Sequence, residues 1–431
     1  MPVPGNHKNK TGFEPLEAGL VRSLVGRIQD LLPLPHTVNA ILLAVNDPYS
    51  SLSRVSETIL KDQALTAKVL KLINSAYYGM KARVGTVSQA VTLLGLEKIK
   101  NLAMAISLAD GLYRFSGLPF GRGSLWHHSQ ACGVATSLVA SAAGYPTPEE
   151  ALIAGLIHDI AKALWTELFP ERFLAAIKAV QMEGRDPLEV EIEFLTVPHA
   201  TVGSWMLEKW QLPEVFQKAV ALHHEPRAEE ADPPLLLLSR SLYLGNLMAK
   251  LVNLGEGGNY RLGPLPPELL RDLKLSREQI ASQLQALPQA FFDFVEELKL
   301  EKAQNTRLNT LMDWLHTREV ILLAGDQDLG PGGLFFQAFA ARTRVLPLAD
   351  WPETDGGNDA LVFWEGDHPG EALARLPQTS HPASRGEVLL FCHRPLAAPS
   401  EKSGPGHGVH LLGPEWRLED FIKVLSPERS A

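Results

Sequence analysis

The residues of this chain that could do chemistry are imidazoles and carboxylates set among apolar neighbours. His128 shares a helical face with Cys132, Ala135 and Val139; Asp159 follows Leu152 and Leu156 and precedes Ala163; His199 leads a stripe of Val202, Gly203, Met206 and Trp210. An apolar helical face points inward, so these groups are aimed at an interior or a cleft. A buried carboxylate must be paired, hydrogen-bonded or metal-bound, and imidazole with carboxylate suits Mn, Fe, Zn or Ni. His128, His158, Asp159, His199 and His224 form a candidate divalent-metal set, and a metal-free hydrogen-bonded network is the competing reading. His127, His223, His368, His393 and His410 read as hydrogen-bonded core residues, Lys162 as a solvated or ligand-facing cation, and Glu225 as a surface group.

The elements that must position these groups are helical. From about residue 20 to residue 250 apolar positions recur at helical spacing, with Pro and Gly mainly between the periodic stretches. After Asp62, a plausible N-cap, Leu65, Val69, Leu72, Ile73 and Ala76 fall on one face of a helix expected to end near Gly79. Asn74 and Ser75 are expected to close that helix by bonding backbone. The unit Val87 to Leu108 fits two helices with a turn at Gly95. Between Asn253 and Pro267 the composition shifts to Gly, Pro and Asn, a loop or linker, and residues 268–317 return to helical patterning as a connector or arm. Beyond Arg318 short β-prone runs (Val320 to Ala324, Arg344 to Leu348, Leu361 to Trp364, Val388 to Cys392, Val409 to Leu412) alternate with short helical ones (Leu334 to Ala341, Glu371 to Leu376, Trp416 to Val424).

The fold class expected is mainly α: an all-helical domain over 20–250 after a flexible tail (1–19), a linker and helical connector (251–317), and a small α/β domain (318–431). At 431 residues, two or three such units are the ordinary expectation. A net charge of -9 gives no general attraction to nucleic acid or anionic lipid. The two cysteines, Cys132 and Cys392, form no ligand or redox pair, which fits a reducing compartment. With no secretory signal and no apolar run long enough for a membrane helix, the chain reads as cytoplasmic.

Several separated motifs, in order, resemble the HDOD family. They are Leu34-Pro35, Asn46-Asp47-Pro48, Lys61-Asp62, Asn74-Ser75-Ala76-Tyr77-Tyr78-Gly79, the run Ala90 to Leu96, Trp126-His127-His128-Ser129, and Gly155 to Lys162. The family is an offshoot of the HD phosphohydrolase superfamily, in which a His, a His-Asp dyad and a later Asp converge on divalent metal that activates water against a phosphate ester. The resemblance implies His128, His158, Asp159 and either His199 or His224 as ligands, and Lys162 as a phosphate-facing lysine. Asn246 stands where the superfamily places its final Asp, and losing that charge lowers affinity for a hard dication and weakens polarisation of bound water. Pro226 to Glu230 replaces the Gly-Tyr-Pro segment of the cyclic-dinucleotide phosphodiesterases, and Ala161 replaces a usual glycine. These departures imply a catalytically silent signalling module that works through contacts with signalling proteins, with homo-oligomers and a nucleotide ligand in reach. Its rival is a metal-dependent phosphohydrolase on nucleotides or cyclic dinucleotides.

The C-terminal run resembles a receiver domain of two-component signalling in the order of its elements. Glu365 and Gly413 stand at the places of the phosphoacceptor Asp and the Lys, while Asp326 and Asp328 mimic the acidic pair. That pattern implies a pseudo-receiver used for docking or dimerisation.

Overall fold

The computed structural model describes residues 13–14, 16–28, 33–46, 52–74, 83–112, 124–183, 185–226, 232–259 and 262–297, and beyond them 319–324, 335–338, 340, 342–347, 361–366, 388–392 and 409–412. The main body is helical. Its opening layer comprises α1 (Ala18–Gly26), α2 (His36–Asn46), α3 (Leu52–Lys61), α4 (Gln63–Ile73), α5 (Val87–Leu94) and α6 (Leu96–Leu112). Local chemistry sets these boundaries. Asp62 accepts the Leu65 N–H at 2.9 Å and caps α4, whose Leu65, Val69, Leu72 and Ile73 are buried. α4 ends at Ile73, before the expected Gly79, because the Asn74 amide bonds back to Leu70 O and across to the backbone of Val84 (2.7 and 2.8 Å). Ser75 and Gly79 lie outside the described residues. Gly95, at φ +84°, separates α5 from α6, a conformation that favours glycine.

The second layer surrounds α7 (Ser124–Ala142) and α8 (Pro148–Ile157), followed by α9 (Ile160–Leu168), α10 (Pro170–Glu183), α11 (Pro187–Leu195), α12 (His199–Lys209), α13 (Glu214–Leu222) and α14 (Pro233–Leu251). α7 packs against both α8 and α14. Glycine permits the close approach. A Cβ on Gly155 of α8 would lie 2.5 Å from Gly133 Cα of α7, and one on Gly245 of α14 would lie 2.6 Å from Thr136 N of α7. Any side chain at these crossings would push apart the helices that carry His128, His158 and Asn246.

Segments outside the expected helical domain also lie on this body. Arg172 of α10 donates to Glu14 O and Thr196 Oγ1 donates to Leu16 O, so Glu14 and Leu16 lie against α10 and the end of α11. Leu254, Leu262 and Leu265 are buried in the Gly/Pro-rich stretch read as a linker, and Tyr243 Oη donates to Pro264 O at 2.6 Å. α15 (Pro267–Leu273) packs on α14 and α16 (Arg277–Glu297) packs on α7, with Phe291, Phe294 and Val295 buried. Over its described residues, 267–297, the connector therefore packs on the body instead of standing off as an arm. Among the described residues no helix is long and apolar enough to cross a membrane.

The later described residues include five strands: β1 (Glu319–Ala324), β2 (Arg342–Pro347), β3 (Leu361–Gly366), β4 (Val388–Cys392) and β5 (Val409–Leu412). They form one parallel sheet in the order β2-β1-β3-β4-β5. The expected helices Glu371 to Leu376 and Trp416 to Val424, together with Asp326, Asp328 and Gly413, lie outside the described residues, as do His368 and His393; nothing is described of the side chains in β5, which carries His410.

Candidate metal centre

Five histidines and one aspartate converge in the interior where α7, α8, α12, α13 and α14 meet. Asp159 is at their middle. The apolar spacing around it predicted a position on one helical face, but α8 ends at Ile157 and α9 begins at Ile160, with Asp159 as a residue of the turn between them. Asp159 makes no side-chain cap bond to α9; its carboxylate faces the histidines instead. Oδ2 lies 3.2 Å from His158 Nε2, 3.7 Å from His128 Nε2 and 2.7 Å from Lys162 Nζ. Oδ1 lies 3.2 Å from His199 Nε2 and 4.0 Å from His223 Nε2.

The donors fall into two groups. His128, His158 and Asp159 form one, and His199, His223 and His224 form the other, each with ligand atoms within 4.8 Å of one another. His199 Nε2 is 3.2 Å from His223 Nε2 and 3.0 Å from His224 Nε2. Two nitrogens each about 2.0–2.1 Å from a tetrahedral ion would be separated by roughly 3.3 Å. The imidazoles are thus spaced as ligands would be.

Ring orientation is fixed from behind. His158 Nδ1 is 2.8 Å from Gly155 O and His223 Nδ1 is 2.6 Å from Val220 O. A carbonyl only accepts, so Nδ1 carries the proton, and in each neutral ring Nε2 presents a lone pair to the centre. His199 Nδ1 faces the Glu191 carboxylate at 2.7 and 2.8 Å, and Glu191 also accepts the His199 backbone N–H at 2.8 Å. Such outer partners orient metal-binding histidines and raise their basicity.

The electrostatics divide along the same lines. Burial, then the neighbouring imidazoles His199 and His158 for His223, His223 and His199 for His224, and His158 for His128, push these three well below 6.5 and keep them neutral. Burial would also lower His158, but Asp159 and then Cys132 raise it to about 10. Burial is the largest influence on His199 and opposes its charge, but Glu191 together with hydrogen bonds to Asp159 and Glu191 outweighs it, so its pKa is raised. Burial would raise Asp159, but His158 and Lys162 hold it well below the usual carboxylate range. Protonated His158 and His199 and the Lys162 ammonium therefore surround the two carboxylates, Asp159 and Glu191. His128 is left over: both its ring nitrogens are buried without a hydrogen-bond partner, as is Asp159 Oδ1. A divalent ion fits this donor set because it would satisfy those orphaned atoms.

The structure brings together His128, His158, Asp159, His199 and His224, and His199 and His224 both face the cluster instead of one or the other. His223, read from the sequence as a core histidine, is buried and bonded to backbone but also turns Nε2 into the cluster. His127 does not join; it makes an edge contact with Phe291. Lys162 is not a solvated residue: it is buried and donates to Asp159 and to Gly257 O, both at 2.7 Å. Asn246 is buried with Oδ1 unpartnered. Sequence reasoning missed Glu191, although an acidic residue on the α11 face of Val190, Phe194 and Leu195 was a visible signal. It also missed Gly257, whose added Cβ would lie 2.9 Å from His128 Nε2, so only glycine lets the chain cover that ring.

Residues 31–226 of the helical body match the family model of the HDOD domain. An uncharacterized protein of Treponema pallidum (strain Nichols) is 29% identical over 299 residues, which cover 68% of this chain and 55% of that protein. This chain thus spans about half the length of that relative. Among solved structures, an HDOD domain protein of unknown function from Geobacter sulfurreducens is 21% identical with a TM-score of 0.47, covering 69% of this chain and 95% of that one. A protein of Marinobacter aquaeolei VT8 provisionally assigned to signal transduction is 24% identical with a TM-score of 0.49, covering 63% of this chain and 61% of that one.

Proposed function

We propose that the HDOD domain is a metal-holding signalling module that binds a phosphate-bearing ligand and relays its state through contacts with signalling proteins. The observation that carries this reading is His128, buried with neither ring nitrogen hydrogen-bonded, beside Asp159 and rings whose Nδ1 protons are committed outward. His199, His223, His224 and Asp159 would hold one ion, and His128, His158 and Asp159 a second, weaker one that lacks a carboxylate at Asn246. A bound divalent ion supplies Lewis acidity toward water or a phosphoryl oxygen. Metal analysis of the chain purified without chelator tests the reading. About one equivalent or more of Mn, Fe, Zn or Ni is expected, and a metal-free chain that takes up none on dialysis would overturn it.

A second reading, phosphoester hydrolysis, is favoured by the three-imidazole group itself. Three neutral imidazoles leave more positive charge on an ion than carboxylates do, and a three-histidine zinc site lowers the pKa of bound water to about 7. Metal-dependent turnover of nucleotide or cyclic-dinucleotide substrates, abolished by His199→Ala, would establish this reading against the silent module.

For the C-terminal strands we propose a docking role of pseudo-receiver type. Their parallel order is that of the flavodoxin-like doubly wound class. Glu365, in β3, is already charged and is a poorer phosphoacceptor than aspartate.

A further inference from the structure

Thr196 is a β-branched residue in the left-handed region, at φ 72° and ψ -33°, a conformation that suits glycine and strains threonine. It opens the turn Thr196-Val197-Pro198, which joins the helix that carries Glu191 to the helix that begins at His199. The backbone of that turn therefore decides whether the Glu191 carboxylate reaches His199 Nδ1, which it does at 2.7 and 2.8 Å. Two bonds hold Thr196 in place. Its N–H closes α11 on Ile192 O at 3.0 Å, and its hydroxyl donates to Leu16 O at 2.8 Å, 180 residues away in the chain.

Leu16 is held there by its neighbours. Phe13 lies 5.0 Å from the Arg172 guanidinium, measured to the ring centroid, and edge-on to Phe194, while Arg172 also donates to Glu14 O. α1 follows and packs on α12, with the Arg22 guanidinium 5.1 Å over the Trp205 ring. Glu14 is exposed and Phe13 and Leu16 are half-buried, so this attachment belongs to the weakly held end of the stability range.

We propose that residues 13–16 are a strap that sets the His199 half of the centre. Seated, the strap holds Thr196 in its strained turn and keeps Glu191 behind His199. Released, the turn relaxes and the imidazole loses the carboxylate that orients it. A strained residue persists only where its surroundings over-determine it, and the hydroxyl bond to Leu16 is the restraint that comes from outside α11. Thr196 is thus a positioning residue that acts through Glu191. The effect on metal rests on the metal reading above, whereas the effect on the His199 ring does not.

Co2+ titration of the full chain, followed by its visible spectrum, and NMR spectra of the metal-free chain labelled at histidine test this. Thr196→Val keeps the branched shape and loses the hydroxyl, and Phe13→Ala unseats the strap. Each is expected to weaken Co2+ binding at least about fivefold, less than the loss of an outer partner itself, and to move the His199 ring signal while leaving that of His158 in place. Thr196→Ser should behave as the wild type. Thr196→Gly removes the strain, so it should bind Co2+ within about twofold of the wild type and make Phe13→Ala silent in the double variant. That silence separates a strap from general destabilisation, which would add in the double variant. Should Thr196→Val not fold, Phe13→Ala with and without Thr196→Gly decides the matter. Wild-type affinity with an unmoved His199 signal in Phe13→Ala, or the same loss in both backgrounds, would overturn the proposal. If the wild type takes up no Co2+, the metal reading is in difficulty and the histidine spectra alone decide the strap.

Discussion

The two halves of the polar centre share Asp159 but are built differently. In the half formed by His199, His223 and His224, Glu191 and the Val220 carbonyl hold two of the rings from behind, and the Nε2 atoms lie 3.0 and 3.2 Å from His199 Nε2. In the other half only His158 is anchored from behind, neither ring nitrogen of His128 has a hydrogen-bond partner, and Lys162 occupies Oδ2. The first half is preorganised and the second is waiting to be completed. Preorganisation here comes from the groups behind the rings and not from the number of histidines.

The largest effect should come from Asp159, which faces both halves. Asp159→Ala is expected to abolish metal content. It should also cost about 3–5 kcal/mol in denaturant unfolding, because Lys162 is left buried without its carboxylate. Single-ligand variants should separate the halves: His199→Ala is expected to lose the tighter ion, while His128→Ala retains it and loses at most the second. Equal metal content in these two variants would erase the distinction. Next comes Glu191→Gln, which keeps a hydrogen-bonding group but removes its charge. Affinity for the tighter ion should fall roughly 10–100-fold, the range for lost outer partners. Asn246→Asp, which restores the carboxylate that the family resemblance places there, should sharpen the comparison from the other side by strengthening the second ion at least about tenfold, roughly 1.4 kcal/mol.

The smallest effects are those of pH. Metal affinity should rise with pH, since an ion must displace the proton that Asp159 stabilises on His158 up to about 10. In the metal-free chain, the raised pKa of His158 stabilises the fold fully below 6.5, and that stabilisation is lost as pH climbs through about 10. His128, His223 and His224 are lowered and act oppositely: their neutral burial is free of penalty above 6.5 and becomes costly as pH falls below it. The Tm of the metal-free chain should therefore peak near neutral pH, and saturating metal should flatten the alkaline side. An alkaline fall unchanged by metal would place the ion elsewhere.

Local rules written in the residue order determined much of the helical body. Asp62 and Asn74 bound α4, Gly95 divides α5 from α6, and the inward faces of His128 and His199 follow from period 3.6. The spacing around Asp159 misled because apolar periodicity runs on across a break between two helices that are both buried. Tertiary structure alone decided that His223 joins the cluster, that Glu191 stands behind His199, that Lys162 meets Asp159, and that a Gly-rich stretch covers His128. Lys162 and Gly257 are 95 residues apart and His199 and His223 are 24 apart, so no helical period links them. Sequence fixes which way a side chain faces on its own helix, whereas the partner it meets depends on how closely glycine lets neighbouring helices approach.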